Sequence, residues 1–81
     1  MNTTTNTGEQ TMNERLAKDF EDGMNRAAVD SAKLTYSGIC REIERMERLL
    51  VADSDRHMTD RYRHYLSGMV QGFRLEIGDP A

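Results

Sequence analysis

The densest run of chemically capable side chains is Arg56-His57-Met58-Thr59-Asp60-Arg61-Tyr62-Arg63-His64, with Arg74 further along. Arginine presents a planar fork of donors that matches carboxylates and phosphates. His57, Arg61 and His64 recur at i, i+4 and i+7, the spacing of one helix face. Tyr62 and Tyr65 are positioned to stack on a base. Arg56, Arg61, Tyr62, Arg63, His64 and Arg74 therefore form the candidate site, for an acidic partner, an anion or a nucleotide. The charge distribution supports it. Residues 1–55 hold seven basic and eleven acidic side chains, whereas Asp60 is the sole acid between Arg56 and Glu76. The plainer reading is a solvated face whose positive charge balances an acidic helix packed beside it.

Other chemistries find little support. His57 and His64 stand two turns apart and do not chelate one ion. Structural zinc needs four ligands at tighter spacing, so no metal and no cofactor are expected. Cys40, the single cysteine, has no sequence context of a nucleophile and reads as a small hydrophobe. Ser31, Ser37, Ser54 and Ser67 lack a nucleophile elbow, and no phosphate loop or dinucleotide fingerprint is present. Short helices also enclose too little volume to shield a reaction from water. The expectation is a protein that is not an enzyme.

The elements that must carry the candidate site are all helical. Residues 1–10, rich in Thr and Asn, read as a disordered tail, residues 11–78 as a single helical domain and residues 79–81 as a C-terminal tail. Thr11 and Glu14 have the spacing of a capping box, which satisfies free backbone N–H groups where a helix begins. Leu16, Phe20, Met24 and Ala27 follow at helical intervals, with Gly23 as a local weakness. The phase changes near Val29-Asp30-Ser31. Either Asp30 or Ser31 caps a second helix, or the first continues through a stutter, so residues 12–52 are one helix or two. From Ala32 onward a heptad seam runs through Tyr36, Ile39, Ile43, Met46 and Leu50. Its outer face alternates Arg and Glu, with Glu42–Arg45 and Glu44–Arg48 placed to pair. A turn at Asp53-Ser54-Asp55 precedes a third helix that starts between Asp55 and Thr59. Met58, Tyr62, Leu66, Met69, Phe73 and Ile77 line its stripe, and Gly78 with Pro80 stops it.

The fold expected is all-α, with two to three helices. The second and third form an antiparallel α-hairpin, joined by an N-terminal helix. Leu34, Leu49, Val51 and Val70 fall outside the seams and leave apolar surface over. A second copy covers such surface cheaply, so a helical-bundle homodimer is expected, with Tyr36, Ile39, Ile43, Met46, Leu50, Leu66, Met69 and Phe73 as interface and core. Gly68 and Gly72, four residues apart, cost helix propensity. Their use would be the close approach of another backbone, with Ser37-Gly38 of the second helix as the expected neighbour.

Size and charge bound the function. At 81 residues there is room for one small domain, for which oligomerisation or very good helix packing compensates a limited core. The first residues lack the basic and apolar regions of a leader, a lone cysteine suits a reducing compartment, and the longest apolar run is Leu49-Leu50-Val51-Ala52. A cytoplasmic protein without a membrane span is expected. The net charge of −3 is the wrong sign for generic nucleic-acid binding and too mild for a DNA mimic.

In general texture — short, helical, with a polar tail and no catalytic signature — the chain resembles small accessory proteins of bacteriophages and mobile elements. That resemblance implies occlusion or sequestration of a host component, host defence machinery included, and assigns no residues. The leading functional expectation is a homodimer that binds and inhibits or regulates an unidentified protein partner. The first alternative is a sponge holding an anionic nucleotide between hairpins, and the second is a small DNA-binding regulator.

Overall fold

A computed structural model of the chain describes residues 11–52 and 58–78. Three helices follow in order: α1 over Met12–Ser31, α2 over Tyr36–Ala52 and α3 over Asp60–Glu76. The described residues form no strand, and no helix among them is long and apolar enough to cross a membrane.

The helix boundaries follow local chemistry. Thr11 Oγ1 accepts from the Glu14 N–H at 3.1 Å while the Glu14 carboxylate accepts from the Thr11 N–H at 3.0 Å, closing the expected capping box. Residues 12–52 are two helices. The second starts later than the phase change suggests, because neither Asp30 nor Ser31 caps it. Thr35 does so: its hydroxyl accepts from the Gly38 N–H at 3.0 Å. Ala32, expected in the seam, therefore lies in the connecting turn. Thr59 caps α3 by accepting from the Tyr62 N–H at 3.1 Å. At its far end Gly78 adopts φ +81°, and its N–H donates to the Leu75 carbonyl at 3.2 Å. That left-handed position is the stop the sequence indicates. Asp53, Asp55 and Pro80 lie outside the described residues.

The core is wholly apolar. Ala27, Ile39, Ile43, Met46, Leu66, Val70 and Phe73 are buried, with Leu50, Met58, Tyr65, Met69 and Ile77 packed at its margin. Val70, expected to be left over, belongs to this core. Tyr36 does not: it is 67% exposed at the first position of α2.

Helix α3 is central. It packs most extensively on α1 and less so on α2. The glycines explain the α1 contact. A Cβ at Gly68 would stand 2.8 Å from the Phe20 carbonyl carbon, and closer still to its oxygen. One at Gly72 would meet the Met24 oxygen and the Ala27 Cβ at 2.8 Å. One at Gly23, on α1, would meet the Met69 nitrogen at 2.9 Å and lie against the Tyr65 carbonyl. The close approach expected of Gly68 and Gly72 is thus made by α1, not by Ser37-Gly38. Gly38 instead sits beside Thr35 and Leu34 of its own turn. Gly23, a weakness for an isolated helix, is what lets α1 seat. Contacts advance together along α1 and α3, from Asp19–Arg61 through Gly23–Tyr65 to Ala27–Gly72, so these two helices run in the same direction.

Candidate interaction surface

The buried stripe of Leu66, Val70 and Phe73 fixes the rotation of α3 and so decides where each candidate side chain goes. Arg61 emerges toward α1. Its Nε and Nη2 donate to the two carboxylate oxygens of Asp19 at 2.8 and 3.2 Å, a fork-on-carboxylate contact. That hydrogen bond, ahead of its Coulombic part, holds the Asp19 carboxyl below its ordinary value and raises the Arg61 guanidinium above its own. Arg63, two positions on, projects from the opposite side of α3, where it is half-buried and donates to the Leu50 carbonyl at 3.4 Å. Arg74, three turns beyond Arg63, forms an ion pair with Glu47 of α2. His64 Nδ1 lies 2.9 Å from the Asp60 carbonyl oxygen of its own helix.

The structure therefore divides the basic cluster. Arg61 fastens α3 to α1, while Arg63 and Arg74 fasten it to α2. Balance against an acidic neighbour, the plainer reading of the cluster, describes Arg74 and Glu47 well. Arg61 departs from it by choosing α1. Arg56 and His57 lie outside the described residues.

Of the two tyrosines, Tyr62 remains available, while Tyr65 is half-buried at the margin of the core. The Tyr62 and Tyr65 rings are nearly parallel, with centroids 6.4 Å apart and 17° between planes. Tyr62 is about half exposed, and with Tyr65, Arg61, Asp19 and Thr59 it lines an open groove of about 380 Å³. Arg45, paired with Glu42 at 2.7 Å, is held more firmly protonated chiefly by that hydrogen bond, with a lesser contribution from Tyr62.

Further depressions lie among the described residues. One of about 530 Å³ is walled by Glu44, Glu47, Arg48, Val51 and Ala52 near the end of α2. Another, of about 250 Å³, lies between Asp30, Lys33, Leu34 and Glu42 above the buried Phe73 ring. Exposed large apolar side chains are Met12, Val29, Leu34, Tyr36, Val51, Tyr62 and Leu75. Of the expected interface set, Ile39, Ile43, Met46, Leu66 and Phe73 are buried within the chain itself, while Leu50 and Met69 are half-buried. Asp19 and Glu47 were not marked by the sequence, because partners distant along the chain leave no spacing to read. Among the described residues, no group of three His, Cys, Asp or Glu side chains is placed to hold a metal ion.

The chain matches no protein-family model, no curated protein and no solved structure at a significant level.

Proposed function

We propose that this chain is a non-enzymatic interaction protein, a helical homodimer that binds and regulates or inhibits another macromolecule. In this reading α2 and α3 form an antiparallel hairpin, and a second copy covers apolar surface that one chain leaves open. The observation that carries it is the exposure of large apolar side chains on so small a fold, Val51 at 76% and Tyr36 at 67% foremost. Burying a side chain of that kind is worth about 1.5–3 kcal/mol. Tyr and Arg are also the residue types that dominate binding energy at interfaces, and Tyr62 stands exposed beside Arg61.

The partner-binding face proposed is the start of α3, with Tyr62 as its anchor. Arg61 and Arg63 already hold neighbouring helices, so they serve the face by fixing its shape. The same fact weakens the nucleotide-sponge alternative, since a phosphate would have to displace Asp19 from Arg61. A thermal-shift series with cyclic nucleotides tests that alternative, because a ligand that binds only the native state raises the melting temperature.

The test of the main reading is light scattering coupled to size exclusion over a range of concentrations. A dimer supports it. A monomer at every concentration removes the homodimer and transfers the exposed apolar residues to the partner-binding face.

A further inference from the structure

We propose that the homodimer forms by exchange of α1: the turn at Ala32–Thr35 straightens, and α1 of each copy seats on α3 of the other. The inference rests on the homodimer reading and names its interface.

The turn is a weak break. Ala32 keeps helical backbone angles of φ −65° and ψ −17°. The Lys33 N–H donates to the Asp30 carbonyl at 2.9 Å and the Leu34 N–H to that of Ser31 at 3.2 Å, so α1 ends in a tightened turn that keeps the helical sense. Between Gly23 and Gly38 the chain has neither proline nor glycine. Ala, Lys and Leu are among the best helix formers. What interrupts the helix is Thr35, whose hydroxyl takes the Gly38 N–H and whose carbonyl takes the Ile39 N–H at 2.9 Å. One cap decides between a bend and a continuous helix, and a short hinge of this kind is where domain swapping arises.

The phase of the two stripes selects the partner. Phe20, Gly23, Met24 and Ala27 face α3 from α1, and Ile39, Ile43, Met46 and Leu50 belong to the stripe of α2. At 100° per residue, a continuous helix would set these stripes roughly a third of a turn apart. A straightened α1 is then carried away from its own α3 and presents its small-residue face outward. The surface that fits it is the groove over Gly68 and Gly72 of a second copy. Every α1–α3 contact of the closed chain, the Asp19–Arg61 pair included, is remade between copies. The net change is confined to the hinges, which come together near the two-fold axis. Val29, Leu34 and Tyr36, all exposed in the closed chain, flank those hinges and gain partners there.

Two substitutions push the hinge in opposite directions. Tyr36→Pro suits the closed chain, since position one of a helix accepts proline and the Tyr36 ring is exposed. It forbids the continuous helix, where the ring would clash with the preceding turn. Thr35→Ala removes the cap and favours the continuous helix, by about tenfold per hinge. Two hinges straighten per dimer, so the association constant should rise by up to about a hundredfold. A third measurement reads the topology. Chains carrying Cys40→Ser with Asp19→Cys are refolded with chains carrying Cys40→Ser and Arg61→Cys, then treated with a short bismaleimide. Exchange gives a covalent heterodimer, and adding Tyr36→Pro to both chains abolishes it. A wild-type dimer that is indifferent to both hinge substitutions, or a heterodimer product that survives Tyr36→Pro, overturns exchange and leaves the homodimer standing. A monomer at every concentration, Thr35→Ala included, overturns both.

Discussion

Gly68→Ala adds one methyl group at the closest point between α1 and α3. On an exposed helix this change would stabilise by about 1 kcal/mol through helix propensity. Here the new Cβ would lie 2.8 Å from the Phe20 carbonyl carbon and 3.0 Å from its Cα, against the 3.4–4 Å of ordinary contact. The obstacle is backbone, so no side chain can swing aside. The helices must separate by about 1 Å, and a radial gap of that size forfeits a quarter to a half of each contact's dispersion energy. Overpacking costs of about 1–3 kcal/mol, sometimes more, are usual for flexible surroundings, and a rigid pair of helices belongs at the upper end. The net expectation is a loss of about 2 kcal/mol. A chain of this size has a total stability of about 4–12 kcal/mol, and the melting temperature should fall by about 8–16 °C. Thermal denaturation followed by far-UV circular dichroism measures it. Gly38→Ala is the control, because the nearest atoms its new Cβ would meet are side-chain atoms of Thr35 and Leu34 at 3.2–3.6 Å rather than backbone; its effect on the melting temperature should be far smaller than that of Gly68→Ala. Gly23→Ala combined with Gly68→Ala should cost less than the sum of the two, since one displacement of α1 relieves both clashes. A rise in melting temperature for Gly68→Ala would refute the close approach and with it the seating of α1.

Other consequences are open to direct measurement. Phe73→Ala removes a ring that is 1% exposed and should cost about 3–5 kcal/mol, a large share of the total stability, seen as a large fall in melting temperature; a transition close to wild type would mean that Phe73 is not the centre of the core. Thr59→Ala should cost about 1 kcal/mol by freeing the Tyr62 N–H, seen as a lower urea midpoint with unchanged slope. The Asp19 carboxyl titrates below its ordinary 3.8 because Arg61 binds its charged form, so the pair's contribution is present above that pH and is lost as pH falls through the lower folded value. Asp19→Asn should remove that part of the acid dependence of the melting temperature. An acid limb identical in the variant and the wild type would show that the pair contributes nothing.

Much of this architecture was legible along the chain, where short-range rules apply. The capping box at Thr11 and Glu14, the stripe from Leu66 to Phe73 and the stop at Gly78 each depend on residues a few positions apart. The start of α2 was less legible. Thr35 caps it with no acidic residue at the third helical position to mark the place, so the change of phase near Asp30 drew attention one turn too early. The partner of Gly68 and Gly72 was not legible at all. Two glycines announce that a backbone comes close, but choosing α1 over α2 depends on geometry between distant segments. The candidate site shows the same limit. Arginines at 61, 63 and 74 read as one cluster along the sequence, yet the helix turns Arg61 away from the other two. Each then finds a different neighbour: a carboxylate on α1, a carbonyl of α2, and a carboxylate on α2.

The shared direction of α1 and α3 also bears on how the chain assembles. Asp19 and Arg61 are 42 residues apart, whereas Leu50 and Arg63 are separated by 13. Loop-closure entropy grows with the logarithm of that separation, so the α2–α3 contact is cheaper to form first, by about 1 kcal/mol. That preference is set against the more extensive packing of α1 on α3, so once the chain is folded α2, with the smaller contact, is the first helix to leave when the native state opens. Its amides should therefore exchange with deuterium through partial unfolding, while those of α1 and α3 around Ala27 and Gly72 wait for the whole molecule to open. During synthesis α1 emerges before the surface it needs, so for that interval its apolar stripe is the chain's most exposed liability to association with other nascent copies.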